Sequence, residues 1–379
     1  MGGGTVTVPA GDWRLDGPIM LKSNVRLHLE EGARLHFSTH ADHYLPLVLT
    51  RWEGTELFNY SPFIFAYQCT NVALTGPGVI DGHGTTTFAA WRDRQKPAQR
   101  RLRDMGGLGT AVHERIFGPD QWLRPSFVQF FGCTNVLIEG VTHVDSPFWC
   151  LHTIACHNVT VRRVRVDSIR INNDGVDIES CSDVLIEDCE LRCGDDCIAL
   201  KSGRDQDGWR LGRPTENVVL RRIRMEAPTT GSGLAIGSEM SGGVRAIFGE
   251  DIQIGRAPVA LNIKGNLDRG GCVEQVHLRR FAVEKADTFI LFTTAYQGYR
   301  GGQHPPVFRD FDIEEASCRA AVVPIHAVGV PDAPLQDIHL RRVAVEHAEQ
   351  PPRIDQVSGF HADDVVINGT PWPTPVAPG

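Results

Sequence analysis

The chain has 379 residues and a formal charge of −8, with 41% hydrophobic and 22% charged residues, 39 glycines and 23 prolines. This is the balance of an ordinary globular protein, which excludes disordered, collagen-like and membrane-embedded classes and favours many short elements over long helices. An acidic protein has no general affinity for nucleic acid or anionic membrane, so neither is expected as a partner, and an acidic substrate must be held by local cations.

The first residues, Met1-Gly-Gly-Gly-Thr-Val-Thr-Val, lack the charged and apolar regions of a secretory signal. They read as the middle of a repeat coil with no cap in front of it. That predicts an exposed apolar end, or a homo-oligomer contact, at this end of the fold.

From Cys69 onward one pattern recurs: Cys or Thr, a variable residue, Asn or Asp, Val, a variable residue and an aliphatic one. It stands at Cys69-Thr-Asn-Val-Ala-Leu, Cys133-Thr-Asn-Val-Leu-Ile, Cys156-His-Asn-Val-Thr-Val, Cys181-Ser-Asp-Val-Leu-Ile and Thr215-Glu-Asn-Val-Val-Leu. From the copy at Val136 onward the motif valines lie 23, 25 and then 34 residues apart, a period that means stacked units. Each unit holds two or three short runs with apolar residues on alternate positions, bounded by Gly, Asn, Asp or Ser, which are strands. Helical periodicity over ten or more residues is hard to find, which removes leucine-rich, ankyrin and TPR architectures. A propeller needs blades of roughly 40 residues. What remains is a right-handed parallel β-helix, one domain over residues 1–370, with rungs about 4.8 Å apart.

Two departures from the repeat read as loops on one face, where solenoids commonly build binding sites. One spans residues 82–127 and carries Arg92, Arg94, Lys96, Arg100, Arg101 and Arg103; the other spans 294–306. Residues 371–379 read as an irregular tail. The ten cysteines include no paired C-x-x-C sets and no zinc spacing. Their place in the repeat makes them buried ladder positions instead.

The densest chemistry lies in Asn172-Asn173-Asp174-Gly-Val-Asp-Ile-Glu179 and Gly194-Asp195-Asp196-Cys-Ile-Ala-Leu-Lys201. Aligning Val176 and Ile178 with Ile198 and Leu200 requires an offset of 22, which sets Asp174 against Asp196 on adjacent rungs, with Asp195 beside them. Like charges so close raise at least one pKa, leaving one carboxyl protonated while others stay ionised. This suits glycoside hydrolysis, in which one acid protonates the leaving oxygen and a carboxylate activates water. A bound Ca²⁺ is the other reading of such a cluster, and it would liken the chain to a pectate lyase. A β-helix that only binds polysaccharide is a third.

These segments, together with Gly76-Pro-Gly-Val-Ile-Asp-Gly, Ser146-Pro-Phe-Trp, Gly237-Ser-Glu-Met-Ser-Gly-Gly-Val and Arg269-Gly-Gly, resemble the polygalacturonase family, glycoside hydrolase family 28. The family's N-T-D motif resembles Asn172-Asn173-Asp174, and its D-D motif resembles Asp195-Asp196. The resemblance implies an inverting hydrolase without cofactor or metal, with Asp195 as general acid and Asp174 and Asp196 holding the attacking water. The stretch at Gly237 resembles the bacterial, largely exo-acting branch, for which a cytoplasmic, periplasmic or secreted location is open. Where the family has G-H-G this chain has Gly231-Ser232-Gly233, and where it has R-I-K this chain has Asn262-Ile263-Lys264. The family's histidine and arginine are therefore absent and its lysine is retained. An amide in place of a carboxylate-binding guanidinium suits a hydroxyl. The resemblance thus implies an acidic oligosaccharide or polysaccharide whose α-linked galacturonate is held by Lys264 with Tyr296. A neutral sugar on the leaving side would liken the chain to rhamnogalacturonan-cleaving members. If the leaving-side sugar is instead acidic, Arg101 or Arg103 from the 82–127 loop replaces the lost arginine.

Overall fold

Residues 2–373 are described by the structure, a computed structural model; of the expected tail at 371–379, residues 374–379 lie outside the described residues. The alternating runs form the expected right-handed parallel β-helix, with 27 strands in one continuous sheet. Three ladders of parallel strands run its length. The first carries the repeat motif (Thr70–Thr75, Thr134–Glu139, His157–Arg162, Ser182–Glu187). The second runs through Arg165–Ser168 and Glu190–Cys193. The third runs through Leu151–Ile154, Val176–Glu179, Ile198–Lys201 and Ser232–Ile236.

Register is strict, with Val136 paired to Val72 on one rung and Val159 on the next. Every second side chain therefore enters the core, and a slip of one residue would turn each aliphatic row outward. The asparagine of the motif holds this register at the corner. Asn24, Asn71, Asn135, Asn158, Asp183 and Asn217 all have φ between 55° and 63°, a region that Asn and Asp tolerate because their short polar side chains bond locally. They also bond rung to rung: Asn71 Nδ2 donates to Asn24 Oδ1 at 2.9 Å, and Asn135 to Asn71 and Asn158 to Asn135 at 2.8 Å each.

The cysteines are all free thiols. Only Cys69, Cys133, Cys156 and Cys181 form one ladder, in which each backbone N–H donates to the next sulfur at 3.3–3.4 Å until Thr215 Oγ1 takes the place of sulfur. Cys150, Cys193 and Cys197 are buried elsewhere in the core. The expected apolar exposure at the first coil is present at Val6 and Trp13, 56% and 43% exposed.

The insertions are more ordered than the charge run suggested. Residues 82–127 contain a helix at Lys96–Gly107, which burial explains: Ala98, Leu102 and Gly106 form its covered face. A further departure escaped the repeat analysis, an antiparallel hairpin of Val48–Trp52 and Thr55–Asn59. Hairpin and helix share a second core with Phe148 and Trp149 of the solenoid wall. This small core seats both beside the third ladder. Among the described residues no helix is long and apolar enough to cross a membrane.

Replacing Asn135 by Val should lower unfolding stability by about 1–3 kcal/mol, since a β-branched residue resists the left-handed region and the ladder bonds are lost. Asn135→Gly should cost less. Chemical denaturation of the two variants measures the difference, and equal losses would refute the conformational role.

Candidate active site

The predicted aspartates stand at the turns entering the third ladder. Val176 pairs with Ile198, and the Gly175 N–H donates to the Asp196 carbonyl at 2.9 Å, so Asp174 and Asp196 lie on adjacent rungs as the offset of 22 predicts. Asp195 is locked by the backbone N–H groups of Asn172 and Asp196, which donate to its two oxygens at 3.3 and 3.1 Å. Asn173 is buried and braces the turn, its Nδ2 donating to the Ser146 and Phe148 carbonyls at 3.1 and 2.9 Å. Gly231, at φ 83°, lies against the Asp195 backbone, where a Cβ would come within 2.2 Å of its carbonyl carbon.

Two lysines meet these acids. Lys264 Nζ is 2.7 Å from Asp196 Oδ2. Lys201 Nζ is 3.4 Å from Asp174, 3.3 Å from Asp177 and 3.6 Å from Glu239, and it sits 3.9 Å from the centre of the Trp149 ring. Burial alone would lower both ammonium pKa values; the facing carboxylates outweigh it and hold both above the ordinary lysine range. Two ammonium groups face four aspartates, and burial raises the pKa of three of the four. Burial first, then the Asp196 charge, pushes Asp195 up to about 6. Burial pushes Asp177 up to about 7 against the pull of Lys201, and burial with the Asp177 charge holds Asp174 well above the usual carboxylate range.

The acids open into a cleft of about 810 Å³, lined also by Ser232, Asn262 and Tyr296. Asn262 Nδ2 donates to Ser232 Oγ at 2.9 Å, while Asn262 Oδ1 is buried without a partner. The Tyr296 ring centre stands 5.4 Å from Lys264 Nζ. All seven predicted residues thus meet in one place. Eight cationic side chains and five carboxylates line the cleft, and Asp177, Asp205, Asp268 and Asp104 behind the lining pair with Lys201, Arg103, Arg269 and Arg300.

Both predicted loops wall the cleft, and Arg103 joins them. Its guanidinium donates to Asp205 at 2.9 Å, to Asp268 at 2.8 Å and to the Gly298 carbonyl at 2.8 Å. Arg103 is therefore fully engaged, and Arg101 lies outside the lining with its guanidinium 4.9 Å from the Phe117 ring centre. Neither is free to replace the absent arginine. Arg100 lines the cleft and has no ion pair among the described residues, and Arg92 has only an exposed contact to Asp93 at 3.5 Å.

The profile of Glycosyl hydrolases family 28 matches residues 4–308. The chain belongs to that family. The structure of an exopolygalacturonase from Thermotoga maritima is 36% identical and superposes with a TM-score of 0.91, covering 98% of this chain and 85% of that one. A probable polygalacturonase of Vitis vinifera is 28% identical over 93% of this chain and 69% of its own length, and an endo-polygalacturonase of Pectobacterium carotovorum is 24% identical over 77% of this chain and 67% of its own length.

In this family 28 hydrolase the sequence reading missed the layer behind the aspartates. Gln99 of the 96–107 helix donates to Glu53 of the hairpin at 2.8 Å, Glu53 pairs with Arg204 at 3.1 Å, Arg204 pairs with Glu239, and Glu239 reaches Lys201. Lys201 could have been found, because the alternation that buries Ile198 and Leu200 turns it to the same side as Asp177 and Glu179 one rung away. The partners in the hairpin are distant in sequence and carry no such signal.

Gly231→Ala should displace Asp195 and lower hydrolytic activity by at least about a hundredfold, the scale of an ångström-sized misplacement. Its circular dichroism should remain that of the parent. Unchanged turnover would show that the Asp195 backbone can yield.

Proposed function

We propose that this glycosyl hydrolase removes an α-linked galacturonate from the end of a pectic oligosaccharide with inversion at the anomeric carbon. Asp195 is the general acid, while Asp174 and Asp196 hold the attacking water. The observation that carries this reading is the unequal pair at the third ladder: Asp196 is ion-paired with Lys264 at 2.7 Å, whereas burial and the Asp196 charge push Asp195 up to about 6. One neighbour is thereby engaged by an ammonium and the other able to donate a proton, as inverting hydrolysis requires. Lys264, Arg100 and Arg92 supply positive potential for an acidic sugar. Action at a chain end is supported by the wall made where Arg103 meets Gly298 and Arg300 pairs with Asp104 at 2.6 Å. The similar Thermotoga maritima enzyme is an exopolygalacturonase.

Asp195→Asn should lower kcat by about 10²–10⁴-fold with folding intact. Because the acid must be protonated, kcat/KM of the parent should fall as pH rises through about 6. A rate profile flat across that range would refute the assignment. Product anomers followed by NMR from the first turnover test inversion directly.

A neutral sugar on the leaving side is favoured by the Ser232–Asn262 pair. The unpartnered Asn262 Oδ1 is an acceptor, which fits a sugar hydroxyl and repels a carboxylate. Parallel assays on polygalacturonate, rhamnogalacturonan and short oligomers should then show higher kcat/KM on chains that alternate acidic and neutral sugars. The double variant Ser232→His with Asn262→Arg should shift the preference toward polygalacturonate by about tenfold or more. An unaltered preference would overturn the leaving-side argument.

A further inference from the structure

A group of side chains outside the cleft is built like a metal site. His36 and Asp81 are direct register partners on neighbouring rungs of the second ladder, and His83 follows two residues after Asp81. The ligating atoms of His36, Asp81 and His83 all lie within 4.8 Å of one another. His36 Nδ1 is 3.1 Å from His83 Nε2 and 3.9 Å from Asp81 Oδ2. Two nitrogens bound to one tetrahedral zinc ion stand about 3.3 Å apart, given bonds of about 2.0–2.1 Å, so the imidazoles need open by only a few tenths of an ångström.

The outer nitrogens carry the stronger argument. A metal-binding imidazole usually donates its other N–H to a carboxylate or carbonyl, which fixes the tautomer and turns the lone pair toward the ion. Here His36 Nε2 is 2.8 Å from Asp12 Oδ1 and His83 Nδ1 is 3.6 Å from Asp81 Oδ1. His36 therefore has a hydrogen-bonded carboxylate on the nitrogen that points away from the partner ring, whereas the His83–Asp81 contact is too long for a hydrogen bond. Arg34 bonds Asp81 Oδ2 at 2.7 Å, and the His83 N–H donates to Oδ1 at 3.1 Å. Those contacts orient the carboxylate and leave further lone pairs on both oxygens. The His36 and His83 side chains are 25% and 35% exposed, so an ion can reach them from solvent.

We propose that His36, Asp81 and His83 bind a divalent transition metal of the zinc type, with Asp12 as the positioning carboxylate. Two nitrogens and one carboxylate oxygen suit that class, and water would complete the coordination. The ion would tie the second and third coils together close to the first, where a solenoid has fewest neighbouring rungs to hold it.

The full chain, stripped with EDTA and titrated calorimetrically with ZnCl₂ near pH 7.5, should bind one ion. His36→Asn combined with His83→Asn should weaken that binding at least tenfold. Asp12→Asn should weaken it by about 10–100-fold, the usual effect of losing an outer partner. His157→Ala, at an exposed histidine on another ladder, should leave it unchanged. Zn²⁺ should raise the melting temperature of the parent and not of the double variant. Bound Co²⁺ should show a nitrogen–oxygen spectrum without thiolate charge transfer. No uptake at millimolar Zn²⁺, equal affinity in the double variant, or a thiolate band from the free cysteines would each overturn the proposal.

Discussion

Rung-on-rung pairing in constant register is the constraint on which the rest of this structure depends. Each coil lies about 4.8 Å above the last, so whatever residue occupies a given corner is delivered onto its counterpart in the next coil. The Asn24-to-Asn217 corner shows the mechanism, because one left-handed residue per coil and a side-chain bond on most rungs keep successive strands aligned. The same geometry places Asp174 against Asp196. A carboxylate cluster of this density is costly in isolation, and it persists because the backbone that carries it is paired on both sides.

Electrostatics then shape the cleft. Arginines and lysines are concentrated on one face here, and most of them are engaged in ion pairs. Arg269 bonds Asp205 at 2.5 Å and the Ser238 carbonyl at 2.7 Å, and Arg103 bonds Asp205 and Asp268. Such pairs add little net stability once desolvation is counted, but removing one partner leaves a buried charge uncompensated. They therefore act as fixed spacers for the loops, and the cations with room to meet a sugar are few, Arg100 and Arg92 among them. The lysines have a different task. Lys201 faces Asp174, Asp177 and Glu239, more negative charge than one ammonium can neutralise, while Lys264 holds Asp196 in a single ion pair.

The repeat was legible because it is local. Alternating apolar residues, an asparagine able to take positive φ, and a fixed spacing all reside within one coil, and the neighbouring coil repeats them. The aspartate register followed from two aliphatic pairs 22 residues apart. The helix at Lys96–Gly107 was hidden for the opposite reason. Its sequence, with five charged residues in twelve, shows a thin apolar face, Ala98 and Leu102, and that face becomes meaningful only against Trp52, Phe148 and Trp149. The hairpin at Val48–Asn59 was likewise missed because its partner surface lies elsewhere in the chain.

By itself the sequence determined the solenoid, its strand period, and the stacking of Asp174 with Asp196 beside Asp195, since these follow from periodicity and nearest-rung pairing. Lys264 and Asn262 were named only through the family resemblance of Asn262-Ile263-Lys264. Only the tertiary structure decided which charges neutralise which: that Lys264 is paired to Asp196, that Lys201 sits among Asp174, Asp177 and Glu239, and that Arg103 is engaged while Arg100 is not. Coulombic and desolvation effects depend on distance and burial across segments far apart in sequence. Residue order alone therefore names the charged groups without stating their protonation.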